Sequence, residues 1–177
     1  METQIEKKVQ APKLNIGINA EGRKEICENV CRVLSDTFLM ALKTQNYHWN
    51  VTGRMFKSLH TLFEEQYQDL YAAADLLAER VRALGEFAPG SFQEFSKHSA
   101  IKEETGIPNS DEMIFNLVKG HETVVEALRE GISKCDEVND NATQDMLIQR
   151  VQQHEKHIWM LRSLITPQKS SVLNTDH

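Results

Sequence analysis

Gly85-Glu86-Phe87-Ala88-Pro89-Gly90-Ser91-Phe92-Gln93-Glu94-Phe95-Ser96-Lys97-His98-Ser99-Ala100-Ile101-Lys102-Glu103-Glu104-Thr105-Gly106-Ile107-Pro108-Asn109 is the stretch on which the fold turns. Pro89, Gly90, Gly106 and Pro108 break any continuous helix across it. Only Ser91–Lys97 keeps a short apolar period, which predicts a brief helix inside a connection too long for a simple hairpin. Upstream, Ser58 is placed to cap a helix running to about Leu84, with Gly85 as its C-terminal stop. Before it, His48-Trp49-Asn50-Val51-Thr52-Gly53 reads as a turn. Ile26, Val30, Val33, Leu34, Phe38, Ala41 and Leu42 recur at three- and four-residue intervals along a helix from about Glu21 to Tyr47. Downstream, Ser110, Asp111 and Glu112 open a helix that Met113, Leu117, Val118, Val124, Val125 and Leu128 carry to about Lys134. The acidic loop Asp136–Asp140 leads to a last helix, about Ala142 to Ile165, ended by Pro167. Its apolar face is Met146, Leu147, Val151, Ile158 and Leu161, with Trp159 read as core beside them.

Two short connections thus flank one long crossover, and no strand-like alternation appears. Among helix bundles this is the ferritin-like arrangement, so the fold class is all-α: a ferritin-like four-helix bundle whose long crossover between the second and third helices contains a short helix. With 177 residues and 40% hydrophobic composition the chain makes one domain. Residues 1–20 form an N-terminal arm, 21–166 the bundle and 167–177 a C-terminal tail. The net charge of −6 argues against a strongly basic nucleic-acid-binding surface and suits metal cations better than phosphates. Cys27, Cys31 and Cys135 show no paired CxxC spacing and are read as small core or interface residues in a reducing, cytoplasmic setting. Glu2, Glu6, Lys7 and Lys8 precede no continuous apolar run, so neither a signal peptide nor a membrane span is expected.

Di-iron bundles place Glu-x-x-His pairs on two helices so that their ligands converge inside one subunit. No Glu in this chain is followed three residues later by His, so if the bundle binds iron its ligands must lie elsewhere. The second helix offers His60 with Glu64 and Asp75 with Glu79, each pair four apart on one face, and imidazole with carboxylate is a ligand set that suits iron. Eleven residues of helix separate Glu64 from Asp75, about 16 Å along the axis, which one metal cannot bridge. The distance becomes workable if this helix meets its own copy antiparallel across a two-fold axis, so that His60 and Glu64 of one chain face Asp75 and Glu79 of the other. His48, folding back across the short turn, would add a second imidazole. Ordinary solvated charges at Glu64, Glu65, Asp69, Asp75 and Glu79 would show the same spacing, and spacing alone does not choose between the two readings.

The wording of the sequence adds a resemblance. Tyr47-His48-Trp49-Asn50-Val51-Thr52-Gly53, then Leu59-His60-Thr61-Leu62-Phe63-Glu64-Glu65-Gln66-Tyr67 and Asp75-Leu76-Leu77-Ala78-Glu79-Arg80-Val81-Arg82-Ala83-Leu84-Gly85 resemble the signature of the Dps family, the mini-ferritins named for DNA protection during starvation. The similarity continues through Gly120-His121-Glu122-Thr123 and His154-Glu155-Lys156-His157-Ile158-Trp159-Met160-Leu161-Arg162-Ser163. The resemblance implies a hollow homododecamer that oxidises Fe(II), preferably with hydrogen peroxide, at sites between subunits holding two irons each, and keeps Fe(III) as mineral in its cavity. It places His48, His60, Asp75 and Glu79 on the family's ligand positions, with Glu64 where many members have Asp. It also implies pores through which Fe²⁺ enters, lined by Asp136, Asp140 and Asp145, for which a solvated acidic turn is the plain alternative. Trp49 is read as an aromatic at the dimer seam, with interception of stray oxidising equivalents as its second reading. His121, His154 and His157 match no ligand position of the family and are read as structural or surface histidines.

DNA binding is the part of the resemblance that the charges support least. Residues 1–17 hold Lys7, Lys8 and Lys13 against Glu2 and Glu6, and the tail holds Lys169 against Asp176. One such arm cannot supply the several phosphate contacts of strong non-specific binding, and although twelve arms add by multivalency, the acidic shell behind them repels DNA. Weak binding is expected. The rival to a ferroxidase is a nucleoid-associated, DNA-compacting shell with a vestigial metal site, and a third reading is a non-enzymatic relative on the same fold.

Overall fold

The computed structural model describes residues 14–165 and is helical throughout its regular structure. The expected lysine-bearing arm, the stop at Pro167 and the C-terminal tail lie outside the described residues. Helix α1 (Ala20–Asn50) begins at Asn19, whose side chain accepts the Gly22 N–H. It runs three residues past the expected end at Tyr47, so His48 and Trp49 occupy its last turn rather than a loop. Tyr47–Asn50 contains no Gly or Pro, and the Val51 N–H still donates to the Tyr47 carbonyl at 2.9 Å. Helix α2 (Phe56–Ala83) starts two residues before Ser58, with Met55 at the cap position and no side-chain cap, so Ser58 is not the capping residue. Gly85, at φ +102°, ends it as expected: the Gly85 N–H donates to Arg82 and the Glu86 N–H to Val81.

The crossover carries helix α3 (Phe92–His98), opened by a capping box of Ser91 and Glu94. Its Phe95 stacks on Phe38 of α1 at 4.4 Å. Asp36, buried in α1, accepts Ser99 Oγ–H and the Ala100 N–H, each at 2.7 Å. Farther along, Tyr47 donates its hydroxyl to Glu104 and accepts Asn116 Nδ2–H, both at 3.1 Å. The long connection is therefore fastened to α1 at two heights.

Helix α4 (Ser110–Glu137) opens on a second capping box, Asn109 with Glu112, and α5 (Asn141–Arg162) on Asp140. α1 packs against α2 and α4, α4 against α5, and α3 lies on α1. α1 and α4 approach so closely that a Cβ at Gly120 would collide with Met40 Sδ, and one at Gly131 with Asn29 Oδ1. The apolar stripes close as expected on α1 and α4. On α5 they do not. Trp159, expected in the core, is 66% exposed, because the inward face of α5 runs Leu147, Val151, His154, His157 and Leu161, with Met146 and Ile158 on its margin.

Candidate metal centre

The last turn of α1 and the first turns of α2 lie side by side across the connection between them, and His48 and His60 face each other there. Their rings stack at 3.8 Å with an interplanar angle of 19°. His48 Nδ1 lies 2.7 Å from the His60 carbonyl oxygen and His60 Nδ1 2.9 Å from the His48 carbonyl oxygen. A carbonyl only accepts, so each Nδ1 carries a proton, which in the neutral ring leaves the lone pair on Nε2. The arrangement also gives the His48 carbonyl a donor, one of the terminal carbonyls that α1 leaves without a helical partner. Phe56 stacks on His60 at 5.2 Å and Tyr67 meets His48 edge-on at 5.3 Å, so the pair is walled by aromatic rings. Glu64, one turn beyond His60 on α2, is half-buried and makes no hydrogen bond or ion pair among the described residues.

Asp75 and Glu79 stand at the other end of α2. From His60 to Asp75 is about 22 Å of helix. Both carboxylates are exposed and unpaired among the described residues, and Leu76 between them is 53% exposed. One chain therefore brings His48 and His60 together with Glu64 next to them, and does not bring Asp75 and Glu79 to them. No group of three His, Cys, Asp or Glu side chains that could hold a metal ion forms within one chain among the described residues. Trp49 and Phe56, 62% and 44% exposed, flank the histidine end.

Two of the acidic residues named above serve other purposes. Asp69 turns inward: Arg150 donates to its two oxygens at 3.1 and 2.7 Å, and His157 Nε2 lies 3.2 Å away. Burial opposes the charge of Asp69, but the hydrogen bonds from His157 and Arg150 outweigh it and hold the carboxyl well below the usual range. Asp140, expected at a pore, is 3% exposed. Its carboxylate accepts Arg80 Nη2–H at 2.7 Å, the Thr143 N–H at 3.1 Å and the Thr143 hydroxyl, capping α5 and tying it to α2. That committed carboxylate is not free to attract an entering cation, which corrects the expectation for Asp140. Asp136 and Asp145 are exposed.

The thiols are quiet. Burial pushes Cys27 and Cys135 up to about 12 and raises Cys31, which disfavours thiolate chemistry. Of the two readings left open for His121, His154 and His157, structural or surface, burial selects the structural one. The signal was available: His154 and His157 continue the Leu147, Val151, Leu161 stripe at helical spacing.

The Ferritin-like domain family model matches residues 28–169. A low-temperature-induced protein of Nostoc sp. is 40% identical over 159 residues, covering 89% of each chain. The DNA protection during starvation protein of Brevibacillus brevis is 34% identical over 134 residues, 76% of this chain and 90% of that one. Among solved structures, the Dps protein of Vibrio cholerae O1, described as a member of a broad superfamily of ferritin-like diiron-carboxylate proteins, superposes with a TM-score of 0.82. It shares 28% identity, over 87% of this chain and 98% of that one. Among the described residues no helix is long and apolar enough to cross a membrane.

Proposed function

The chain belongs to the Dps family of ferritin-like proteins, and on that premise we propose that it is a cytoplasmic ferroxidase that oxidises Fe(II) between two copies of itself and stores Fe(III) as mineral inside a dodecameric shell. The observation that carries the reading is the His48–His60 pair, whose main-chain hydrogen bonds leave both Nε2 lone pairs free beside Glu64. Asp75 and Glu79, unpaired at the far end of the same helix, are the donors this half lacks. Antiparallel pairing of two α2 helices brings each half to the other's complement and makes two sites per dimer, each taking two ferrous ions as substrate. Neutral imidazoles and carboxylates supply the donors, and their negative charge favours the ferric product over the ferrous substrate. With hydrogen peroxide as oxidant, two Fe(II) give one electron each, and the peroxide takes both with two protons and leaves as two waters. No hydroxyl radical is released. In this reading Trp49 packs at the dimer seam and intercepts any oxidising equivalent that escapes, while Asp136 and Asp145 remain the acidic residues of the pore region.

Iron added anaerobically, followed by peroxide, tests the reading through the rise of ferric absorbance. A His60→Ala/Asp75→Ala chain that oxidised iron at the wild-type rate would sink it. A DNA-compacting role would rest on the lysines of the N-terminal arm, outside the described residues. It requires a mobility shift with a clear salt slope that deletion of residues 1–17 abolishes.

A further inference from the structure

The centre of the bundle holds a second group of histidines that iron oxidation does not use. His121 of α4 and His154 of α5 are 0% exposed, and His157 of α5 is 4% exposed. His121 Nδ1 and His154 Nδ1 lie 2.8 Å apart with their rings edge to face, and His157 sits 5.3 Å from His121. Across from them, Asp69 of α2 is shared between His157 and Arg150. Among the described residues His121 Nε2, His154 Nε2, His157 Nδ1 and Arg150 Nε find no hydrogen-bond partner.

This geometry accommodates one proton between His121 and His154 and no more. If both rings were imidazolium, two N–H groups would point at each other across 2.8 Å, with Arg150 adding a third positive charge beside them. Among the described residues the one carboxylate at hand is Asp69, already divided between Arg150 and His157. α4 and α2 add no other charge to the group. The buried ionisable residues of α1 are engaged elsewhere: Cys27 with the Val81 carbonyl, Asp36 with the crossover, Tyr47 with Glu104 and His48 with His60. The guanidinium likewise weighs against a resident divalent cation among these imidazoles.

We propose that this cluster is an acid-operated latch joining α2, α4 and α5, closed while His121 and His154 are neutral and released when they take up protons beside Arg150. Burial, then the neighbouring imidazoles and Arg150, lowers His121 well below the ordinary histidine range, and burial with Arg150 lowers His154 to about 3. In the unfolded or opened chain both rings titrate near 6.5, roughly their unperturbed value. Between that pH and about 3 the open state therefore binds more protons than the closed one, and stability falls as pH falls through this window. Each histidine contributes a tenfold change in the opening constant per pH unit, roughly a hundredfold for the two together.

Amide hydrogen exchange of the assembled full-length protein, corrected for intrinsic rates, reads the opening constant of α5 across Val151–Leu161 between pH 7 and 5. The latch predicts a rise approaching about a hundredfold per unit below pH 6.5 and a nearly flat profile in His121→Gln/His154→Gln. A flat wild-type profile, or a double variant as steep as wild type, overturns it. If the double variant does not fold, His154→Gln alone should lower the slope to about tenfold per unit, and an unchanged slope is equally fatal.

Discussion

Two groups of histidines lie in this bundle, and the same side chain is prepared in each for opposite behaviour. At the meeting of α1 and α2, His48 and His60 give their Nδ1 protons to main-chain carbonyls, which never ionise, and keep a free nitrogen each at a half-open edge. In the interior, His121 and His154 have only each other, with a guanidinium close by and no exposed surface. The carbonyl partners fix one tautomer and raise the ring's worth as a ligand, as hydrogen-bonded imidazoles at metal sites are generally tuned. The imidazole partner makes a second charge unaffordable. What a histidine does here is decided by whether its neighbour can share the burden of a proton.

The contrast breaks most visibly if the outer pair is not a binding site. Replacing His60 or Asp75 with Ala should lower the initial rate of peroxide-driven Fe(II) oxidation by more than about 100-fold, since even supporting residues of metal sites cost 10- to 100-fold. Ferric absorbance in a stopped-flow mixer measures it. Because the two residues lie at opposite ends of one helix, the single variants should complement each other. Unfolded together and reassembled at equal amounts, half the dimers are mixed and each mixed dimer holds one intact site, so about a quarter of the wild-type rate returns. No recovery would mean that the site is not shared.

The inner group is tested next through Asp69, its one negative charge among the described residues. Asp69→Ala leaves Arg150 without its bidentate partner and His157 without an acceptor. The pair is partly exposed, with Asp69 27% accessible, so the cost is about 2 kcal/mol rather than the 3–5 of a fully buried pair. Urea unfolding at fixed protein concentration reads it. The direction of the Asp69 shift gives the pH test its sign: a depressed carboxyl stabilises above its unfolded value and loses that contribution as pH falls below the ordinary carboxylate range. Wild type and variant should therefore converge in strong acid, and a gap that stayed constant would show that charge is not what Asp69 contributes.

The same contrast explains what could be read from sequence. Connections and caps are local, so the long crossover, the Gly85 stop and the four-helix order were legible from residues within a few positions of each boundary. The meeting of His48 with His60 and Glu64 was legible because the three lie at the adjoining ends of two consecutive helices. One error came from assigning a residue by its type alone: Trp159 was read inward because it is apolar, while for His154 and His157 the choice between a structural and a surface role stayed open. Helical spacing puts the histidines on the buried stripe and the tryptophan outside it. Asp140 failed for another reason. Its partner Arg80 is 60 positions away, and no local pattern announces that pairing.

The smallest effect sharpens the outer site rather than testing its existence. Glu64 carries one methylene more than Asp would, and its side chain is half-buried beside a histidine pair held by two main-chain hydrogen bonds. Because those imidazoles are fixed by the backbone, a carboxylate one methylene shorter must reach its cation by moving its own stem, while the rings stay where they are. Glu64→Asp should then change the oxidation rate by no more than about threefold, a barrier difference well under the cost of losing a ligand. Glu64→Gln keeps the length and removes the charge, and should be the slower of the two. If the order reverses, reach rather than charge governs this position, and the histidine pair is less rigid than its hydrogen bonds imply.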